Sequence, residues 1–270
     1  MHISDGILPV PLWLGGYGIT ALITSYSLRV LRRGSSRLTV AVDPSTPSQD
    51  AQSLARLENV LPKRGAEQDP RRHLPKAALL TAAFFVASSI HLPFPPASVH
   101  LVLNGLVGLM LGAFAYPAIV VGLFFQVVAF GHGGLTTLGI NAAIMGIPAL
   151  LAGGIFRAGR RVVGTGFSAF LAGAVGVGLA VLLFYGVVIA ALAGSGSGIL
   201  STEAERLATG SLVLAHIPLI LLEGLFTSWV VLFLQRVQPD LLGDPRPQPP
   251  HLKAQVEEPH PAYLSLHGKK

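Results

Sequence analysis

The tract that decides the fold begins Ala77-Ala-Leu-Leu-Thr-Ala-Ala-Phe-Phe-Val-Ala-Ser-Ser-Ile90. After His91-Leu-Pro-Phe-Pro-Pro96 it resumes as Ala97-Ser-Val-His-Leu-Val-Leu-Asn-Gly-Leu-Val-Gly-Leu-Met-Leu-Gly-Ala-Phe114 and runs on through Ala115-Tyr-Pro117 to Phe130. It is almost continuously apolar. A helix needs about 20 mostly apolar residues to cross about 30 Å of hydrocarbon. Proline disfavours helix in the residue before it, so 91–96 and 115–117 read as turns. The tract therefore divides into three spans, the middle one about Val99–Ala115.

Working outward, four more spans read from the same pattern, at about Val10–Val30, Asn141–Phe156, Thr165–Ala193 and Gly210–Leu234. The expectation is an all-α integral membrane protein with about seven transmembrane helices. The third and fifth are short for full crossings, and tilt or shielding by neighbours would accommodate them. Composition agrees. Only 12% of the 270 residues are Asp, Glu, Lys or Arg, against about 25% in soluble domains. Apolar residues make up 51%, and mean hydropathy is +0.61. A soluble globular enzyme is disfavoured, and an intrinsically disordered chain is excluded. The first span lacks the basic region of a cleaved signal peptide, because His2, Asp5 and Pro9 sit there instead.

The net charge of +6 resolves by side. Arg29, Arg32, Arg33, Arg37, Arg56, Lys63, Arg64, Arg71, Arg72 and Lys76 flank or fill the loop after the first span. Arg157, Arg160 and Arg161 follow the fifth, and Arg236, Arg246, Lys253, Lys269 and Lys270 follow the seventh. With seven spans these fall on one side, which the positive-inside rule makes cytoplasmic. Only Arg206 lies elsewhere. The N-terminus is then outside and the C-terminus inside, in the cell (inner) membrane. The expected domains are a transmembrane domain over 1–240, with a polar loop at 38–75, and a loosely ordered cytoplasmic tail over 241–270.

His2, His91, His100, His132 and His216 all fall at the outer side or in the outer half of a span. Polar groups near a membrane interior are costly and usually have a role. Each alone is satisfied by a backbone carbonyl at a helix end, but five on one face suggest a site. With no Cys in the chain, thiolate ligands are excluded and nitrogen is the expected donor. A free Met1-His2 terminus chelates through its α-amine, the deprotonated His2 amide nitrogen and His2 Nδ1. Three nitrogens near a plane leave one position for another imidazole, and such a square suits Ni(II) or Cu(II). Gly131-His-Gly-Gly134 lets backbone approach closely or take positive φ. Asn104 and Gln126 support the site or bond between helices. Gly108-Leu-Met-Leu-Gly112 reads as helix packing. Glu223, the only acidic residue inside a span, pairs with a partner subunit, orients a histidine or is neutral.

Four blocks carry a resemblance: Met1-His-Ile-Ser-Asp-Gly-Ile-Leu-Pro9, Ser98-Val-His-Leu-Val-Leu-Asn-Gly105, His132-Gly-Gly-Leu-Thr-Thr-Leu-Gly-Ile-Asn141, and His216-Ile-Pro-Leu-Ile-Leu-Leu-Glu-Gly224 with Arg236-Val-Gln-Pro-Asp240. Over residues 1–33 and 76–240 the chain resembles the CbiM/NikM family, the substrate-capture components of energy-coupling factor transporters for cobalt and nickel. Where many members carry His-Pro-Thr-Gly, this chain has His100-Leu-Val-Leu103. The resemblance implies Co(2+) or Ni(2+) as transported substrate, cobalt first. It implies Met1, His2 and His100 as ligands, with Ser98, His132, Asn141 and His216 around them. The implied partners are a transmembrane coupling subunit, cytoplasmic ATPase subunits and a small accessory membrane subunit, with lipid and no nucleic acid. No Gly-x-x-x-x-Gly-Lys-Ser/Thr motif occurs, so energy would come from those subunits. An ATPase-independent metal channel or carrier is the alternative. An intramembrane metalloprotease would want His-Glu-x-x-His, which is absent.

Overall fold

The computed structural model describes residues 2–35, 70–94, 97–194 and 203–242. Met1, most of the polar loop and the tail from 243 lie outside the described residues. Among the described residues, seven α-helices succeed one another: α1 Val10–Ser35, α2 Pro70–Ser89, α3 Asn104–Leu111, α4 Ala115–Phe130, α5 Leu138–Gly159, α6 Thr165–Gly194 and α7 Glu203–Val237. The protein is a helical membrane protein. Asn104–Phe130, Leu138–Gly159, Thr165–Ala191 and His216–Val237 are each long and apolar enough to cross a bilayer, and Leu74–Ser89 is a shorter apolar helix.

Two boundaries differ from the sequence reading. α2 starts at Pro70, so the end of the expected loop 38–75 is helical. Proline suits a first helical position because the N–H it lacks has no intrahelical partner there. The third span is helical only over Asn104–Leu111, about 12 Å of rise. Residues Ala97–His100 form strand β2, paired antiparallel with β1 (His91–Phe94), and His91 stands opposite His100. A short apolar run reads alike as strand and as helix, so hydropathy did not separate the two. Leu103, at φ 54°, is the one non-glycine with positive φ among the described residues.

The run Asn104–Phe130 is not one rod. α3 runs in the same direction as α5: Asn104 Nδ2 donates to Met145 O at 3.3 Å, Gly108 packs on the Ala149 backbone, and Gly112 lies by the Arg157 guanidinium. α4 runs oppositely, since Tyr116 packs on Gly146 while Gly133, just past α4, meets Asn141. The chain reverses at Gly112 (φ +55°) and a 3-10 turn to Phe114. His100 and His132 are thereby returned to the same end of the molecule.

Small residues make these close approaches possible. A Cβ on Gly108 would stand 1.8 Å from Ala149 O, and one on Gly16 in α1 would stand 2.6 Å from Ile140 N. Helices in lipid associate by such packing, because apolar side chains gain nothing by leaving an apolar solvent. The polarity of α1 turns inward: Thr20 Oγ1 donates to Gly139 O at 2.7 Å and lies 2.8 Å from Tyr116 Oη. Large apolar residues such as Leu22, Leu79, Leu182, Leu225 and Trp229 stay on the outer surface, where lipid would meet them.

The chain divides into two compact units, Met1–Phe233 and Leu234–Lys270. The first carries the site. In the second, the described residues finish α7 and form a 3-10 turn over Pro239–Leu242.

Candidate metal-binding site

The segment before α1 folds across the ends of α4 and α5. Asn141, in the first turn of α5, holds it. Its Oδ1 accepts from Ile3 N at 2.9 Å, and its Nδ2 donates to Ile3 O at 3.0 Å. Thr137 Oγ1 donates to the same Ile3 carbonyl at 2.6 Å. Ile3 is itself 2% exposed, so these bonds form away from water and leaving one unmade would be costly. Two residues on, Asp5 Oδ1 accepts from Thr136 N at 3.0 Å and from the Thr136 hydroxyl. That hydroxyl bond, with backbone donors of 135–137, holds the Asp5 carboxyl below the usual carboxylate range.

The glycine turn between α4 and α5 is shaped by this strap. Gly131 closes α4 in the left-handed region, with its N–H directed to Gln126 O and Val127 O. Gly133, at φ +80°, leaves room for His2: a Cβ there would lie 3.2 Å from Asn141 Nδ2 and 3.6 Å from His2 Cβ. On Gly134 it would lie 1.9 Å from Asp5 Oδ1.

His2 therefore enters a pocket of imidazoles. Its ring stacks near that of His100, with centroids 5.6 Å apart and 24° between planes. The His132 ring lies edge-on at 5.9 Å. Both ring nitrogens of His2 are buried without a hydrogen-bond partner. Burial, aided by His100 and His132, pushes its pKa well below the ordinary histidine value, so the neutral, ligating form prevails at neutral pH. The Gln126 side chain of α4 approaches this ring closely enough to oppose that shift as a hydrogen-bonding group, though no ring nitrogen meets full hydrogen-bond geometry with it. Gln126 Nε2 donates to Ser88 Oγ of α2, and Gln126 Oε1 has no hydrogen-bond partner.

His100 is 5% exposed and sits at the end of β2. The irregular residues after it are held by Glu223 of α7, whose Oε1 accepts from Val102 N and, at 3.1 Å, from Leu103 N. These amides precede α3 and have no helical acceptor, so a buried carboxylate replaces the water that lipid excludes. Sequence reading singled out Glu223 without assigning it this task.

The structure thus brings together His2, His100, His132 and Asn141. His216, on α7, packs its ring edge-on to Tyr185 of α6, at 6.5 Å. Ser98 contributes its backbone to β2, opposite Pro93. Met1 is outside the described residues. Among the described residues, no group of three or more His, Asp or Glu side chains is placed to hold an ion unaided. The expected chelate needs only two imidazoles, taking its other nitrogens from the terminus and backbone. Thr137, Ser88 and Asp5 were not foreseen. For Asp5 the paired glycine at 133–134 announces a close backbone approach but not by what.

Fold and pocket together define a polytopic helical membrane protein with a buried imidazole pocket at one end. Comparison with known proteins narrows the class. The family model described as the cobalt uptake substrate-specific transmembrane region, CbiM, matches residues 60–241, and the chain belongs to that family. A putative metal transport protein of Haemophilus influenzae is 30% identical over 260 residues, covering 90% of this chain and 97% of that one. The cobalt transport protein CbiM of Sorangium cellulosum is 33% identical over 249 residues, covering 90% and 94%. A fused nickel transport protein, NikMN, of Rhodobacter capsulatus is 29% identical over 195 residues, covering 65% and 54%. The crystal structure of a transition metal transporter shares the fold, with TM-score 0.59 and 20% identity over 88% of this chain and 93% of that one.

Proposed function

We propose that this chain is the substrate-capture subunit of an ATP-driven energy-coupling factor importer for a divalent transition metal, cobalt first and nickel second. The ion is held by the Met1 amine, the His2 amide nitrogen, His2 Nδ1 and His100. The observation that carries this reading is the His2 ring, buried with both nitrogens unpartnered and stacked 5.6 Å from His100. A buried imidazole without a partner is expensive, and a metal is one partner that repays it. The names of the relatives support cobalt and nickel as the cargo.

His132 and Asn141 shape the pocket, and His216 and Ser98 stand further out. The capture face is external, and the ion is released inside when coupling and ATPase subunits rearrange the complex. The chain has no Walker A sequence, so ATP is hydrolysed by those partners.

The test is an N-terminal extension. The native protein should begin with an unblocked Met1. Adding one residue displaces the amine and should abolish tight Ni(II) and Co(II) binding by the purified protein. An extended protein that binds as well as the native one refutes the chelate. Competition between the two metals, read by elemental analysis, then ranks them. Uptake by cells with and without the ATPase subunits separates an ATP-driven importer from an autonomous carrier.

A further inference from the structure

Two buried polar atoms beside the metal pocket are left over once the chelate is drawn. Only Nδ1 of an imidazole can close a six-membered ring with the residue's own amide nitrogen. If His2 Nδ1 takes the ion, His2 Nε2 must carry the ring proton and needs an acceptor. His2 Nε2 has no hydrogen-bond partner in the chain, and neither has Gln126 Oε1, although the Gln126 side chain approaches the His2 ring.

The orientation of that amide is fixed by chemistry. A serine hydroxyl has one proton. Ser88 Oγ lies 2.5 Å from Phe84 O and 3.2 Å from Phe85 O, so its proton is committed to the carbonyls of its own helix. Towards Gln126 it can only accept, so Gln126 must present its NH2 group to Ser88. The carbonyl oxygen Oε1 is then the end left for the pocket. The two helices are held in this register by Gly122 against Phe84, and by the Phe85 and Phe130 rings stacked at 5.3 Å. A hydrogen bond between α2 and α4 alone would be the plainer account of Gln126, but it leaves Oε1 and Nε2 buried and unexplained.

We propose that Gln126, anchored by Ser88, is a positioning residue that accepts the His2 Nε2 proton and so holds Nδ1 free for the ion. Partners that orient a ligating histidine through its other nitrogen commonly contribute about 10–100-fold to metal affinity. This inference rests on the reading of His2 as a ligand, and the experiment separates the two.

Full-length protein in detergent is labelled with 15N-histidine, and the His2 signals are assigned by their loss in His2→Ala. Without metal, the native His2 ring should show one tautomer, protonated at Nε2. Gln126→Met keeps the length of the side chain and removes the acceptor. It should mix the tautomers and weaken Ni(II) binding about 10–100-fold. Gln126→Glu loses the donor to Ser88 but retains an acceptor for Nε2, and should keep the tautomer that Gln126→Met loses. Ser88→Ala, a smaller change, should loosen the tautomer preference and serves if Gln126→Met does not fold. A native ring protonated at Nδ1, or a folded Gln126→Met with native tautomer and affinity, overturns the proposal. His2→Ala binding Ni(II) as tightly as native would instead remove His2 as a ligand, while the metal-free tautomer still judges Gln126.

Discussion

His2 has neutral ring nitrogens at neutral pH because burial makes its charged form costly. Metal binding near pH 7.5 should therefore draw few protons from the imidazole. The amide gives up one proton, and a free amine with a pKa near 8 gives up part of another, so about one to two should be released. Calorimetry of Ni(II) binding in buffers of differing ionisation enthalpy counts them, and a count near zero would exclude the amide as a ligand. Affinity should fall as pH drops, because amine and amide reclaim their protons. Asn141 acts at the same scale. Asn141→Ala would strand the buried Ile3 N–H and part of its carbonyl capacity, at roughly 1–3 kcal/mol per group. Since that strap carries His2, Ni(II) affinity should fall about tenfold or more; native affinity in Asn141→Ala would show that the strap binds without its clamp. The residues visible in the sequence were those with unusual chemistry in an apolar setting: His2, His100, His132, Asn141. Ser88 and Thr137 were invisible because serine and threonine are ordinary in membrane helices, and only placement gives them work.

Among elements, residues 101–103 between β2 and α3 are irregular backbone, and one carboxylate accepts from the Val102 and Leu103 amides there. Glu223→Ala should leave the Val102 and Leu103 amides buried without their acceptor and release the segment behind His100. Glu223→Gln keeps an oxygen where both amides converge. Thermal unfolding in detergent, with Ni(II) titration, should rank native and Gln close together and Ala clearly lower in both. Equal loss in Gln and Ala would mean that the charge, and not the acceptor, matters. The hydropathy pattern located the third span but read Val99–Leu103, its first five residues, as helix. The end of a β-strand, a left-handed Leu103 and an eight-residue helix follow one another within a single apolar run, and the deciding partner, Glu223, lies more than a hundred residues later. Gly134 makes the complementary point: Gly134→Ala puts a Cβ 1.9 Å from Asp5 Oδ1 and should dislodge the strap, lowering affinity without touching a ligand.

At the scale of the whole molecule, the hairpin of α3 and α4 puts the imidazole pocket and the Gly112 turn at opposite ends of the bundle. Arg157 reaches that turn, and Arg160 stacks on Phe156 close by, 5.5 Å from its ring centroid. The bundle is therefore polarised, with histidines at one end and arginines at the other. The sequence pattern carries the same division, because charge near a span is a signal of side that needs no tertiary information. The positive-inside rule puts the arginine end in the cytoplasm, so the pocket should face outward. The absence of cysteine makes this directly testable, because a single introduced thiol is the only one in the chain. Leu135, 53% exposed, lies in the turn after α4 at the pocket end, and Val162, 83% exposed, lies just beyond α5 at the arginine end. In intact cells, a membrane-impermeant maleimide should label Leu135→Cys and spare Val162→Cys. After lysis it should label both. The reverse pattern would turn the molecule over, place the pocket on the cytoplasmic side and make capture from outside impossible.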